Sequence, residues 1–307
     1  MVENGNVASP WDASLISLLP PSLVIFAAGG AGYDYMDVPA LRSRGVRFCN
    51  SRGAGDTATS DIALYLILAC FRLTSFAEWG ARQGDPDTFW RVHHEVGLRA
   101  ENPRGRLLGC VGLGNIQREV ARKAGKNGLG MDIVYYDPYR LGEDVERSLG
   151  VTYVDSLDKL AECGCDLISV SGASFYCSLA VNTADGYTTV PYTKSTHDLI
   201  DARFISKLKP GARIVNTARG KIVNEDALVA ALESGHLLSA GLDVHYHEPR
   251  VSPALIGMKN VTLTAHVGGV AKDTFVEFER LCMANIDNNL RLGKPCLTVR
   301  ALSFVTY

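Results

Sequence analysis

Short apolar runs recur along this chain and alternate with stretches of helical periodicity. The apolar runs are Leu23–Ala27, Val46–Cys49, Leu107–Val111, Ile133–Tyr136, Leu167–Val170, Arg213–Asn216, Leu238–Leu242 and Val261–Thr264. The helical patterns between them include Thr59–Phe76, Gln117–Lys126, Ser156–Glu162 and Asn224–Ser234. Runs without polar alternation are typical of parallel strands that are covered on both faces. The alternation therefore predicts βαβ units and an α/β fold with a doubly wound parallel sheet.

The length, charge and cysteine content of the chain limit the number of domains and the kinds of partner that we expect. A chain of 307 residues is long enough for two globular domains. The formal net charge is −2 and Lys and Arg form no run, so neither nucleic acid nor an anionic membrane is an expected partner. Cys163 and Cys165 form a lone CxC, so we predict no metal site and expect reduced thiols. The first residues lack the layout of a signal peptide, so we expect a cytoplasmic protein.

Residues 80–105 differ from the rest of the chain because they are polar and rich in Arg, His, Glu and Pro. Two interpretations of this segment remain open. It is either a solvated connection or a protruding arm that packs on a second subunit.

A glycine-rich segment follows one of the predicted strands and opens a predicted helix. Gly112 allows a tight turn there, and Gly114 lets the backbone approach a pyrophosphate. Asn115 and Ile116 begin the helix, whose N-terminal N–H groups face the phosphates in such motifs. Gln117 stands where the third glycine of GxGxxG allows close helix–strand contact, so we expect looser or shifted packing.

An acidic residue, Asp137, ends the next predicted strand. A carboxylate at this distance from the glycines accepts hydrogen bonds from the adenosine ribose of a dinucleotide. It also repels the 2′-phosphate of NADP, so we predict NAD as the cofactor. Arg140 lies close by in sequence and keeps NADP use open.

Three further segments follow in order: VNTARGKIVNEDAL, SAGLDVHYHEP and LTAHVGG. They contain Arg219, Glu248 and His266. A guanidinium binds the two oxygens of a carboxylate in a fixed fork. Histidine is the side chain suited to donate a proton to a developing alkoxide near neutral pH. A carboxylate hydrogen-bonded to that imidazole favours its protonated form and fixes its orientation.

These motifs resemble those of the D-2-hydroxyacid dehydrogenase family: N-x-x-R-G, D-V-x-x-x-E-P and H-x-G-G, after a Rossmann glycine loop. The likeness extends from about Trp11 to Pro295. It implies an NAD-dependent oxidoreductase that reduces a 2-oxoacid to a D-2-hydroxyacid, and the reverse. By this resemblance Arg219 anchors the substrate, His266 is the general acid in reduction and the base in oxidation, and Glu248 supports His266.

The resemblance also implies secondary contacts. The residues expected near the cofactor are Thr59, Pro191, Thr196, Thr217, Ala218, Asp243, Gly268 and Gly269, with Asp243 accepting from the nicotinamide amide. The backbone N–H groups of Ala31 and Gly32 are expected to receive the substrate carboxylate. His245 and His247 match no family role, and we interpret them as surface residues.

The segments NSRGAGDTATSD, VGLGNIQ and AHVGGVA resemble the D-mandelate dehydrogenases within the family. This resemblance implies reduction of an aryl-glyoxylate such as phenylglyoxylate. Trp90 and His93 are candidate aryl contacts, with a purely structural role as the other interpretation. Two alternatives stay open: a glyoxylate or hydroxypyruvate reductase, and a catalytically impaired NAD-binding member of the family.

The implied architecture is a discontinuous, flavodoxin-like substrate domain (1–55 and 270–307) and an NAD-binding domain (56–269), with the active site between them. A homodimer is also implied. The chain starts before what resembles the third strand of the family, so we expect an incomplete substrate domain with an unpaired strand edge.

We interpret residues 172–189 as an insertion relative to the family. Our hypothesis is a retained intron or gene-model artefact, and an adaptive loop is the alternative.

Overall fold

The structure is a computed structural model that describes residues 10–171 and 195–293. The described helices are α1 (Ala13–Ser17), α2 (Val38–Ser43), α3 (Asp56–Arg72), α4 (Thr74–Arg82), α5 (Pro86–Arg99), α6 (Asn115–Ala124), α7 (Glu143–Leu149), α8 (Leu157–Glu162), α9 (Ala202–Lys207), α10 (Glu225–Glu233), α11 (Pro253–Gly257) and α12 (Lys272–Leu290). The described strands are β1 (Ile25–Ala27), β2 (Arg47–Cys49), β3 (Leu107–Val111), β4 (Asp132–Tyr136), β5 (Val151–Tyr153), β6 (Leu167–Val170), β7 (Ala212–Asn216), β8 (Leu237–Leu242) and β9 (Val261–Leu263). The predicted insertion 172–189 and the predicted ligand Pro191 lie outside the described residues.

Seven strands form one parallel sheet in the order β5-β4-β3-β6-β7-β8-β9. This order confirms the predicted doubly wound, Rossmann-type fold. The chain reverses its direction of winding between β3 and β6, and open α/β sheets bind ligands beside the carboxyl ends of the strands at such a point. Strand β5 was absent from the sequence prediction because it is a three-residue edge strand with an exposed Thr152 at its centre.

The single helix predicted over Thr59–Phe76 is wrong in one respect, since it is two helices, α3 and α4. Leu73 between them has a φ of 52°, a left-handed conformation that interrupts the helix. Among the described helices, none is by itself long and apolar enough to cross a membrane. The pair α3 and α4, bent by 76°, meets those criteria only when its two helices are taken together.

Residues 80–105, interpreted as either a solvated connection or a protruding arm, are largely helical, and most of them are exposed. The segment contains the end of α4 and the whole of α5, and these two helices contact each other. A Cβ at Gly80 would lie only 2.7 Å from the Val92 Cγ2 atom. Glycine at this position therefore permits the close contact that buries Val92. The alternative of an arm for a second subunit stays a prediction.

The described residues divide into two compact units, one of residues 10–58 and 269–293 and one of residues 59–171 and 195–268. In the first unit, β1 and β2 form a two-stranded parallel sheet. Its core contains the buried Ile16, Met36, Leu41 and Val46. In the second unit, apolar side chains cover both faces of the seven-stranded sheet.

A buried arginine lies inside the second unit. Arg213, on β7, is 2% exposed and donates to the Glu101 carboxylate at 2.8 Å. Its guanidinium carbon lies 4.3 Å from the centre of the Phe71 ring. Glu101 is partly exposed and also pairs with Arg106 at 3.1 Å. Glu101 would keep its contact with water and with Arg106 if Arg213 were replaced. We therefore expect the volume of the Arg213 side chain to contribute more to the free energy of unfolding than its charge does.

We therefore expect Arg213→Ala to lower the free energy of unfolding by about 3 kcal/mol, because it leaves a cavity in the core. Arg213→Met preserves most of the apolar volume and should cost less than about 1.5 kcal/mol. Urea denaturation of both variants measures the difference. Equal losses in the two variants would instead assign the stabilisation to the ion pair.

Candidate active site

The glycine loop lies at the carboxyl end of β3. Gly112 has a φ of 79°, which side-chain-bearing residues rarely adopt, and its N–H donates to the Tyr136 carbonyl at 2.7 Å. Gly114 is the N-cap of α6 and supplies no side-chain acceptor to the first turn. The positive end of α6 and its first N–H groups therefore suit a bound anion such as a pyrophosphate. The loop fits a dinucleotide cofactor.

Gln117, where looser or shifted packing was expected, takes part in the contact between α6 and the sheet. Its side chain is fully buried, and its Nε2 donates to the Ser169 carbonyl on β6 at 2.8 Å. The Ser169 hydroxyl donates in return to Gln117 Oε1 at 3.3 Å. The larger side chain fills the space and satisfies its own polar atoms.

Asp137 fixes the glycine loop in this structure. It is 2% exposed, and its Oδ2 accepts from the Leu113 N–H at 3.0 Å. Its Oδ1 accepts from the Tyr139 N–H at 2.9 Å. Burial raises the pKa of Asp137, and these hydrogen bonds offset that effect only in part. Each carboxylate oxygen has a second lone pair, so the carboxylate can still accept from a ribose.

Arg140 is engaged by a neighbouring acid. Its Nε and Nη2 donate to the two carboxylate oxygens of Glu146, at 3.0 and 2.9 Å. The Tyr135 hydroxyl also donates to Glu146, at 2.7 Å. The hydrogen bond from Arg140 holds the pKa of Glu146 below its ordinary value despite partial burial. This pairing occupies the cation that could otherwise bind a 2′-phosphate.

The turn that carries Arg219 follows β7 and is held by Asn216. Asn216 Oδ1 accepts from the Ala218 N–H at 3.0 Å, and its Nδ2 donates to the Arg219 carbonyl at 2.9 Å. Thr217 is buried beside Ser171, with 2.6 Å between their hydroxyl oxygens. The Arg219 side chain is partly exposed, and its Nη1 donates to the Ala218 carbonyl at 2.8 Å. The asparagine of N-x-x-R-G thus shapes the turn, a role not assigned from sequence.

Glu248 and His266 come together at the carboxyl ends of β8 and β9. His266 Nδ1 lies 2.8 Å from Glu248 Oε2, and both side chains remain partly exposed. Burial raises the pKa of Glu248, but the hydrogen bond and charge of His266 and the N–H of His245 outweigh it, so the pKa lies below its ordinary value. Because Nδ1 faces the carboxylate, Nε2 is the ring nitrogen that can exchange a proton with a ligand.

His266 has a φ of 52°, and Asp243 stabilises the loop in that conformation. The His266 N–H donates to the Asp243 carbonyl at 2.8 Å. The Asp243 carboxylate is buried and accepts from the Thr264 hydroxyl at 2.7 Å and from the N–H groups of Val267 and Gly268 at 2.8 Å. Three of its roughly four acceptor positions are therefore used, and one is left for the predicted nicotinamide contact.

The other predicted cofactor residues have well-defined places. Thr59, Thr196 and Ala218 are buried in the second unit. A Cβ at Gly268 would lie 2.8 Å from Asp243 Oδ2 and 3.2 Å from Thr59 Cγ2, so only glycine fits there. Gly269 belongs to the first unit and is partly buried.

The predicted anion loop lies in the first unit. Asn50 Nδ2 donates to the Ala31 carbonyl at 2.8 Å, and the Ser51 N–H donates to the Gly30 carbonyl at 3.0 Å. Gly30 has a φ of 98°. Ala31 and Gly32 remain partly exposed, so a ligand can reach this loop.

Two histidines next to the site differ in their surroundings. His247 is exposed, as predicted, but the interpretation of His245 as a surface residue is wrong. His245 is 8% exposed, and its Nε2 lies 2.8 Å from the Thr264 carbonyl. Trp90 and His93, the candidate aryl contacts, are exposed on α5.

Comparisons with known proteins agree with this geometry. Residues 64–173 and 182–268 match the family model of the D-isomer specific 2-hydroxyacid dehydrogenase NAD binding domain. The unmatched residues 174–181 fall within the predicted insertion. The holo form of Rhodotorula graminis D-mandelate dehydrogenase is 57% identical, with a TM-score of 0.88 over 98% of this chain and 83% of that one.

Curated relatives are more distant in sequence. The 4-methyl-2-oxopentanoate reductase A of Aspergillus oryzae is 34% identical over 93% of this chain and 77% of its own length. The dehydrogenase efuE of Hormonema carpetanum is 33% identical over 94% of this chain, which spans 66% of that protein's length. The chain thus belongs to the D-isomer-specific 2-hydroxyacid dehydrogenases, a family of NAD-dependent oxidoreductases.

Proposed function

We propose that this protein reduces an aryl-glyoxylate such as phenylglyoxylate to the D-2-hydroxyacid with NADH, and catalyses the reverse reaction. The observation that carries this proposal is the 2.8 Å contact between His266 Nδ1 and Glu248 Oε2. It leaves the opposite ring nitrogen to act on a ligand. The 57% identity to a D-mandelate dehydrogenase supports the aryl preference.

Each residue has a proposed role in that reaction. NADH, when bound, supplies the hydride. Arg219 binds the substrate carboxylate through its planar guanidinium. The protonated His266 donates from Nε2 to the ketone oxygen as negative charge develops there, and Glu248 stabilises the imidazolium. We propose that the second unit, which contains the glycine loop, is the NAD-binding domain, and that the first unit is the substrate domain. In the first unit, Ala31 and Gly32 offer N–H groups to an anion.

The test is NADH oxidation by the purified chain with phenylglyoxylate, 4-methyl-2-oxopentanoate, glyoxylate and hydroxypyruvate in parallel. We expect the highest kcat/KM with phenylglyoxylate, and loss of turnover in His266→Ala. A preference for glyoxylate or hydroxypyruvate would favour the alternative reductase function. NADH binding without turnover of any substrate would favour the impaired NAD-binding protein.

The Arg140–Glu146 pair predicts how cofactor preference responds to mutation. Glu146→Gln removes the charge that holds Arg140, so the guanidinium becomes able to pair with a 2′-phosphate. We expect the ratio of kcat/KM for NADPH to that for NADH to rise by about tenfold, the value of one charge-assisted hydrogen bond. Arg140→Gln combined with Glu146→Gln is the matched control and should abolish the gain. An unchanged ratio in Glu146→Gln would contradict this role.

We also propose a homodimer that uses the α4–α5 helices, in a cytoplasmic setting that keeps the thiols reduced. Exposed apolar side chains on this pair support the contact: Trp79 (44% exposed), Phe89 (47%), Trp90 (57%) and Leu98 (87%). Trp90→Asp with Leu98→Asp should convert a dimer into a monomer in sedimentation-velocity experiments. A wild-type chain that sediments as a monomer would exclude the proposal.

A further inference from the structure

His245 contacts all three loops that carry the proposed catalytic residues. These loops follow the neighbouring strands β7, β8 and β9, and they contain Arg219, Glu248 and His266 in turn. His245 lies in the second loop, three residues before Glu248. Each polar part of the residue, its N–H, its carbonyl group and its ring, faces a different loop segment.

The backbone N–H of His245 binds the supporting carboxylate directly. It donates to Glu248 Oε1 at 2.8 Å, while Glu248 Oε2 contacts His266 Nδ1 at the same distance. The carboxylate therefore lies between one backbone donor and the imidazole. Its position depends on where the His245 peptide is held.

The ring of His245 holds that peptide against the loop of His266. Nε2 lies 2.8 Å from the carbonyl oxygen of Thr264, two residues before His266. A carbonyl only accepts hydrogen bonds, so Nε2 carries the hydrogen. Nδ1 is buried without a hydrogen-bond partner among the described residues. An apolar ring would avoid that cost, so the contact with Thr264 is what histidine adds at this position.

The carbonyl group of His245 lies against the loop of Arg219. A Cβ at Gly220 would be 1.9 Å from the His245 oxygen, 2.0 Å from its carbonyl carbon and 2.5 Å from the Tyr246 nitrogen. The peptide after His245 thus packs on the Cα of Gly220, next to Arg219. Any other residue at position 220 would force the two loops apart.

We propose that His245 is a positioning residue that fixes the Arg219, Glu248 and His266 loops relative to one another. The inference rests on the catalytic roles proposed above. The ring anchors the peptide to the Thr264 carbonyl, and the peptide then sets both the Glu248 carboxylate and the Gly220 contact. Without the anchor, the Glu248–His266 hydrogen bond lengthens, and the imidazolium loses part of its stabilisation.

Several ionisable groups surround the Glu248–His266 pair. His245 and His266 both act on the Glu248 carboxylate. Asp243, at the end of β8, accepts from the N–H groups that follow His266. Arg219 lies on the neighbouring loop. A variant at position 245 replaces none of these other ionisable side chains, and the hydrogen bond that it removes directly is the one to the Thr264 carbonyl.

The test compares His245→Phe, His245→Gln and the wild type. Phe keeps the backbone and the ring volume but loses the donor, whereas the amide of Gln can again reach the Thr264 carbonyl. We expect His245→Phe to lower kcat for 2-oxoacid reduction by roughly 10- to 100-fold, as misplacement of reacting groups does. The alkaline limb of the kcat profile should move to lower pH. His245→Gln should restore both, and the Kd for NADH should stay unchanged.

A purely structural role would lower the Tm of His245→Phe but leave kcat and the pH profile of the folded protein unchanged, and this result would overturn the proposal. If His245→Phe does not fold, His245→Gln is compared with His245→Asn, whose amide is one methylene shorter and cannot reach Thr264. Equal kcat values and pH profiles for these two variants would also overturn it.

Different measurements test the positioning role of His245 and the proposed function of the protein. Wild-type turnover and its loss in His266→Ala test the function. An NMR titration of the His266 ring signals reports on the Glu248–His266 contact without any turnover. Its midpoint should move to lower pH in His245→Phe and return in His245→Gln, and an unchanged midpoint would refute the positioning role.

Discussion

Replacing His266 with alanine should lower kcat for 2-oxoacid reduction by roughly 10²- to 10⁴-fold, the usual contribution of a positioned general acid. The structure gives the reason, since Glu248 binds Nδ1 and orients the ring so that Nε2 can donate. The loss should fall on kcat rather than on the Kd for NADH. Steady-state kinetics with phenylglyoxylate and fluorescence titration with NADH measure the two quantities.

Glu248→Gln is the matched control, because it keeps the shape of the side chain and removes its charge. The lowered pKa of Glu248 means that its ionised form is stabilised in the folded protein. This contribution to stability is fully present above the ordinary carboxyl pKa and is lost as pH falls through the lowered value. At neutral pH the wild-type carboxylate is therefore charged and favours the imidazolium. In Glu248→Gln the alkaline limb of the reduction profile should move to lower pH.

Added imidazole offers a further check on His266→Ala, because a small acid can enter the space that the ring leaves. Partial recovery of kcat that rises with imidazolium concentration would support proton donation. A His266→Ala variant with kcat close to that of the wild type would remove His266 from the reaction. Circular dichroism should show that the variant is folded, since the side chain is partly exposed.

Replacing Arg219 with alanine should lower kcat/KM for phenylglyoxylate by roughly 10²- to 10⁴-fold. That range corresponds to two charge-assisted hydrogen bonds at about 1.5–3 kcal/mol each. Arg219→Lys retains the charge but not the planar fork, so its loss should be smaller, about 10- to 100-fold. The turn itself should persist, because Asn216 holds it through backbone contacts.

The methyl ester of phenylglyoxylate distinguishes carboxylate binding from a general effect on the site. The wild type should prefer the acid strongly, because the ester lacks the negative charge that Arg219 binds. In Arg219→Ala that preference should become much smaller. A variant that still discriminates between acid and ester as the wild type does would show that Arg219 does not bind the carboxylate.

The strand pattern of the sequence predicted the parallel sheet because buried strands need near-continuous apolar runs. Strand β5 escaped prediction because a three-residue strand at a sheet edge carries too little pattern. The break at Leu73 escaped it as well, since the apolar periodicity continues through a residue that is itself buried. The sequence also did not predict α5. This helix is polar and buries little more than Val92, so it carries almost no apolar periodicity.

Within the proposed site, the sequence by itself predicted Arg219, Glu248 and His266, because a guanidinium, a carboxylate and an imidazole with the required chemistry stand in three successive motifs. Only the tertiary structure decided how those loops are held. Gln117, Glu146 and His245 act on groups that lie on other turns or strands, and no local pattern records such contacts. His245 is the clearest case: its polar sequence neighbours indicate a surface residue. In the tertiary structure its ring contacts the Thr264 carbonyl on the neighbouring loop, and the peptide that follows it packs on Gly220. These two contacts keep His245 away from the surface.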